Sequence, residues 1–131
     1  MEFNLASAKE YSTSGRTQEW VLRYLDCPKW KNKGLHDAIK KAVPKWHGPI
    51  EVAITGLERI CGPEEGLDWP EDLDKWEDRV LEILTSLSDL TELPPLIVHS
   101  HNGRLRIFDG NHRYETMLRK GYLTCWCFLY S

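Results

Sequence analysis

Eight consecutive residues carry the densest chemistry in the chain: Phe108, Asp109, Gly110, Asn111, His112, Arg113, Tyr114 and Glu115. An alternating run leads into them, Asp109-Gly110 breaks it, and the residues after Asn111 repeat with helical spacing. The segment therefore predicts a strand joined to a helix through one glycine. Such a junction gathers unpaired backbone N–H groups and the positive end of the helix dipole at one point, which suits an anion such as phosphate. Arg113 offers a planar fork for two phosphate oxygens, His112 a second donor and Asn111 an uncharged amide. Asp109 would hold a metal or a hydroxyl. The same spacing also permits a plainer arrangement, in which Asp109 or Asn111 only caps the helix and Arg113 lies on a solvated face.

Other candidate groups are scattered. The run Cys61-Gly62-Pro63-Glu64-Glu65-Gly66 sets two carboxylates between glycines and a proline, a composition that predicts a loop of the kind that serves sites. His99, His101, Arg104 and Arg106 fall on one face of a predicted hairpin. They suit phosphates, a metal or a solvated sheet face, and His112 is the only further zinc ligand nearby. Lys29, Lys31 and Lys33 beside Trp30 form a small basic patch that reads as a solvated loop or a nucleic-acid contact. Glu71, Asp72 and Asp74 are expected to complement a helix dipole, with Glu51 and Glu58 as further carboxylates bordering the corner.

These groups sit on a chain of 131 residues with 17 Lys+Arg against 20 Asp+Glu, a net charge of −3. No global positive field draws in a polyanion, so nucleic-acid binding would require a local patch. A hydrophobic content of 41% is ample for one packed domain and excludes a disordered chain. No apolar run approaches the roughly 20 residues of a membrane-crossing helix, and the amino-terminal residues lack the basic start and apolar stretch of a secretory signal. The expectation is a cytoplasmic protein with no membrane partner, in which four cysteines without a CxxC pair act as reduced small hydrophobes.

The elements that must position the corner follow from periodicity. The first ten residues show none and read as a lead-in. Helices are predicted over Arg16–Leu25, Leu35–Val43 and Pro70–Leu90, the last with Pro70 in its first turn and Trp76, Val80, Ile83, Leu84 and Leu87 inward. Ile50–Ile54 alternates as a first strand. Asn102-Gly103 between two alternating runs predicts a two-residue hairpin that places His101 opposite Arg104, Ser100 opposite Leu105, His99 opposite Arg106 and Val98 opposite Ile107. A helix over Asn111–Lys120 turns Tyr114, Met117 and Leu118 inward and stops at Gly121. Leu123–Tyr130 is apolar on both faces and reads as a strand covered on both sides. The fold class is α+β, a single domain over 1–131 with a helical extension at 1–48 and a core at 49–131.

The run Asp109-Gly110-Asn111-His112-Arg113-Tyr114-Glu115, with Pro94-Pro95-Leu96-Ile97-Val98 and the hairpin ahead of it, resembles the ParB/sulfiredoxin-like superfamily, in particular small ParB-like-domain proteins with a D-G-[NH]-H-R-[YW] motif. The likeness runs from Ile50 to Tyr130 and implies a small mixed, curled sheet with packed helices. Sulfiredoxins carry a nucleophilic Cys where this chain has Asn111, and an amide cannot form the sulfur intermediate. Chromosome-partitioning ParB proteins bind a cytidine nucleotide at a G-E-R-R corner and continue into a helix-turn-helix, which the ten residues after Gly121 are not expected to encode. ParB-like free serine kinases carry D-G-H-H-R and a glutamate base in a P-x-E loop, matched here by Pro63-Glu64-Glu65.

The resemblance thus implies a nucleotide-binding domain and a phosphotransferase, a kinase moving phosphate from ADP, ATP or CTP to a small hydroxyl-bearing acceptor. Gly110, Asn111, His112 and Arg113 would hold the phosphates, Asp109 a Mg²⁺ ion, and Glu65, Asp109 and His112 would be catalytic. Asn111 in place of the first motif histidine removes one titratable donor. A non-catalytic nucleotide-responsive or DNA-associated interaction module and a ParB-like nuclease are the alternatives, and the acidic charge counts against DNA.

Overall fold

In the computed structural model, which describes residues 1–131 except for the side chain of Leu90, five helices pack on a mixed five-stranded sheet. Helices α1 (Leu5–Thr13), α2 (Thr17–Asp26) and α3 (Lys33–Ala42) come first. Strand β1 (Trp46–Ala53), the short strands β2 (Glu58–Arg59), β3 (Cys61–Gly62) and β4 (Trp69–Pro70), and helix α4 (Leu73–Ser86) follow. The hairpin β5 (Leu96–His101) and β6 (Arg104–Asp109) leads into α5 (Asn111–Arg119) and the last strand β7 (Thr124–Tyr130).

The sheet order is β1-β7-β5-β6-β2, with β7 parallel to β5 and β2 parallel to β6. The hairpin has the predicted register at all four pairs, from Val98↔Ile107 to His101↔Arg104. Its turn demands positive φ at both central residues, and Asn102 at 51° and Gly103 at 76° supply it.

Alternation along β5 and β7 sorts the core into two layers. Val98, Ile107, Cys125 and Cys127 meet Tyr114 and Met117 of α5, together with Ile54 and Leu57. On the opposite face Ile97 and Phe128 meet Trp20, Val21 and Tyr24 of α2 and Ile39 of α3. The strand read as covered on both sides is covered on both sides. No helix among the described residues is long and apolar enough to cross a membrane.

Apart from element ends, where α4 stops at Ser86 and not at Leu90, four features differ from the sequence reading. The lead-in is α1, built by capping rather than amphipathicity: Asn4 accepts from Ser7 N at 3.0 Å, Ser7 Oγ accepts from Asn4 N at 3.2 Å, and Trp20 Nε1 donates to Ser7 Oγ at 3.0 Å. Strand β1 begins at Trp46, before Pro49, with a register shift between His47 and Ile50. Helix α4 begins at Leu73 because Asp72 caps it, its carboxylate accepting from Lys75 N at 3.2 Å, while Pro70 pairs with Gly62 in the β3–β4 ribbon. Leu118 points outward, and α5 instead buries Asn111, Arg113 and Thr116 beside Tyr114 and Met117.

Candidate functional site

Gly110 sets the corner. Its φ of 106° lies in the region that favours glycine, and a Cβ there would stand 2.5 Å from Leu96 Cδ2 and 2.9 Å from Arg113 Nη2. As the N-cap of α5 it has no side chain to close the helix, so the first backbone N–H groups of α5 receive no side-chain cap. The corner lies between two hollows. A cleft of about 530 Å³ is lined by Leu35, Ala38, Ile60, Trp69 and Phe108 as well as by Asp109–His112. A smaller hollow of about 280 Å³ lies against Asp109, Gly110, His112 and Arg113, with Trp30, Lys29, Lys31 and Arg79 completing its wall.

Arg113 is 3% exposed. Its Nη2 lies 3.6 Å from Asp109 Oδ2 and donates to the Pro95 carbonyl at 3.4 Å, while its Nε has no partner. The guanidinium lies 4.8 Å from the Trp30 ring and 5.6 Å from that of Tyr24. It is therefore neither on a solvated face nor fully satisfied: the sole pair is long, and one buried N–H direction is left open.

Asp109 is placed as an orienting group rather than as a metal ligand. Tyr24 Oη donates to its Oδ2 at 2.5 Å and Asn32 Nδ2 to its Oδ1 at 3.0 Å. With both oxygens accepting and a guanidinium alongside, the carboxylate already has the donors and countercharge that a cation would have to displace. The donor set does not fit the Mg²⁺ role expected of it. Burial, with Asp109 adding to it, pushes the Tyr24 hydroxyl well above its ordinary range, so it stays a donor.

Asn111 is likewise not free for a ligand. Buried beneath the corner, its Oδ1 accepts from Ile60 N at 3.0 Å and Cys61 N at 3.4 Å, and its Nδ2 donates to Ile107 O at 3.0 Å. The side chain pins the start of α5 to the β2–β3 segment, so its amide is already used within the protein.

His112 is held by Glu71, a residue expected only to complement a helix dipole. Its Nε2 lies 2.9 Å from Glu71 Oε2 and its ring 4.6 Å from that of Trp76. Glu71 also accepts from Cys61 Sγ at 3.2 Å. Burial first, and the Glu71 carboxylate second, raise the Cys61 thiol to about 12, so it remains protonated. Glu65, by contrast, is exposed and lines neither hollow. Its neighbour Glu64 is tied to Arg59 at 2.5 Å, which holds that carboxyl below its ordinary range. The carboxylate against His112 is therefore Glu71 and not Glu65, although Glu71 too stands behind the walls of both hollows. The β3–β4 pairing puts it there, through Glu71 N donating to Gly62 O at 2.8 Å.

The remaining basic groups are accounted for. Arg104 reaches Glu58 at 2.7 Å and Arg106 reaches Asp68 at 2.8 Å. His99 is wedged against Phe108 and Tyr130 at 5.1 and 5.0 Å. That face of the hairpin is a paired, partly covered sheet surface. Lys29, Lys31 and Trp30, in contrast, reach the corner from the α2–α3 connection, as does Asn32, while Tyr24 reaches it from α2; a local reading of the chain has no signal to connect either of these two with Asp109. No model of a known protein family matches the chain. A search of curated proteins likewise finds no match.

Proposed function

We propose that the protein binds a nucleotide, with a phosphate at the uncapped start of α5 and the base in the apolar cleft. The observation that carries this reading is the pairing of that open helix start with Arg113, a buried cation whose Nε lacks a partner. Backbone N–H groups and a guanidinium converge there on one small volume, which is the arrangement phosphate recognition uses. Trp69, 67% exposed, and Phe108 both line the cleft and supply flat apolar surface for a base. The strand–glycine–helix corner and its hairpin are also the residues on which the chain resembles ParB/sulfiredoxin-like proteins, and that fold assignment is part of the proposal. The four free thiols suit the cytoplasm.

Phosphoryl transfer is the second part of the reading, and the His112–Glu71 pair favours it. A hydroxyl-bearing acceptor beside His112 would give its proton through the imidazole to Glu71 as its oxygen forms a bond to phosphorus and the bond to the leaving nucleotide breaks. A divalent cation would come with the phosphates, since Asp109 is occupied.

The test is thermal shift of the full chain with ADP, ATP and CTP, with and without Mg²⁺, followed by a search for phosphate transferred to small alcohols such as serine. A nucleotide should raise the melting temperature, and Arg113→Lys, which keeps the charge and loses the fork, should reduce that rise. His112→Ala and Glu71→Gln should retain the shift and lose transfer. Binding without transfer in the wild type would leave a non-catalytic nucleotide-responsive module, and no shift with any nucleotide would remove the reading altogether.

A further inference from the structure

The hollow beside Trp30 has a charge that the nucleotide reading does not yet use. Lys29, Lys31, Arg79 and Arg113 stand around about 280 Å³, and Asp109, already taken by Tyr24, Asn32 and Arg113, is the one acid on its described wall. Arg79 has one outward partner, Glu82 at 3.3 Å, whose side chain is 71% exposed and screens little. Three of the four cations surround the same indole: Arg113 lies 4.8 Å from the Trp30 ring, Lys29 Nζ 5.3 Å and Arg79 5.7 Å. An indole holds cations against its faces without cancelling their charge. Like charges gathered this closely repel, in a chain whose net charge is −3, and the cost is offset when an anion enters. Arg113 borders the hollow at 3% exposure with its Nε unpartnered, so its hydrogen bonding within the protein is incomplete.

We infer that this hollow is a second anion subsite, taking the outer phosphates of a condensed phosphate chain whose first phosphate lies at the start of α5. Both hollows share Asn32, Asp109, Gly110 and His112 on their walls, so one ligand can cross the corner with its apolar part in the cleft and its far phosphates against Lys29, Lys31 and Arg79. The inference rests on the nucleotide reading for the ligand's apolar part, and makes the ligand a nucleoside di- or triphosphate rather than a monophosphate. Inorganic polyphosphate has the same anionic chemistry without the base, and serves as the separating probe.

Affinities of AMP, ATP and inorganic tripolyphosphate are measured by calorimetry on the full chain at fixed ionic strength, in the wild type, Lys31→Ala, Arg79→Ala and the double variant. These side chains are exposed or half-exposed, and a cooperative melt checks that each variant folds. ATP should bind at least about tenfold more tightly than AMP, and each substitution should weaken ATP about tenfold while changing AMP much less. Tripolyphosphate should follow ATP. If ATP binds no better than AMP, or the double variant keeps wild-type ATP affinity, the second subsite is overturned and the nucleotide reading stands. If tripolyphosphate binds in a Lys31- and Arg79-dependent way while neither nucleotide does better than it, the subsite stands and the nucleotide reading fails. If nothing binds, both fall.

Discussion

At the scale of single residues, the corner is braced by Asn111 and Asp109, two side chains that look like ligands and are bonded within the protein. Asn111 satisfies two backbone N–H groups and one carbonyl from inside the protein. Asn111→Ala should therefore strand buried polar groups and cost about 2–3 kcal/mol in chemical denaturation, at the upper end of the penalty for unsatisfied buried partners; a loss within experimental error would mean that water substitutes freely there. The sequence made Asn111 conspicuous through its motif neighbours, but the two N–H groups it accepts from lie 50 and 51 positions away and no local pattern announces them. Glu71 escaped for the same reason, since an acid one residue before an N-cap reads as a dipole complement until β3 and β4 pair. Cys61 gives that carboxylate a readout. Because its thiol is raised from its ordinary 9.0 to about 12, the unfolded thiol ionises first, so its contribution to stability is complete below pH 9 and is lost as the pH climbs toward 12. At pH 8 Cys61 should resist iodoacetamide, and Glu71→Gln should speed its alkylation measurably by peptide mass spectrometry. Equal rates in the two proteins would detach Glu71 from the thiol.

At the scale of elements, what was legible in the sequence is what periodicity and turn chemistry encode. The hairpin register, the α5 stop at Gly121 with φ 80°, and the two-sided burial of β7 all follow from local rules. Helix α1 was invisible because only Leu5 and Ala8 of its nine residues are buried, so it has no stripe to detect. The start of α4 was misplaced because Pro70 offered a stronger signal than Asp72, although the ribbon claimed the proline. The position of that start matters to the site: α4 carries Trp76 against His112 and Arg79 toward the basic hollow, and its Glu77 pairs with Arg119 Nη2 at 2.5 Å to hold α5 against it. Asp72→Ala should cost about 0.5–2 kcal/mol, the usual range for a lost N-cap, and Asp72→Ser should recover most of it. If Asp72→Ala melts at the wild-type temperature, the helix start is fixed by the β3–β4 ribbon and the cap is incidental.

At the scale of the whole molecule, the division into a helical extension over 1–48 and a core over 49–131 follows the helical and strand-rich stretches, but the packing does not respect it as a boundary of either stability or function. Trp20, Tyr24 and Phe128 form one aromatic cluster, with Trp20 stacked on Tyr24 at 5.1 Å and tilted against Phe128 at 5.3 Å, and all three are fully buried. Removing the first three helices would bare Ile97 and Phe128 on one face of the sheet and take Tyr24 and Asn32 from Asp109, and Trp30 from Arg113. Arg113 and Asp109 would then face each other in a hollow opened to water, where a pair at 3.6 Å contributes little. A fragment of residues 44–131 should accordingly keep strand signal in far-ultraviolet circular dichroism, bind a hydrophobic dye and unfold without a cooperative transition. It should also show no phosphate-dependent stabilisation, because the groups that set the guanidinium's orientation are on the missing helices. A fragment that melts sharply and still responds to tripolyphosphate would show that the corner is self-sufficient and that the helices only cover it; a fragment that regains both properties when residues 1–43 are added in trans would place half of the site, as well as half of the core, in the amino-terminal helices.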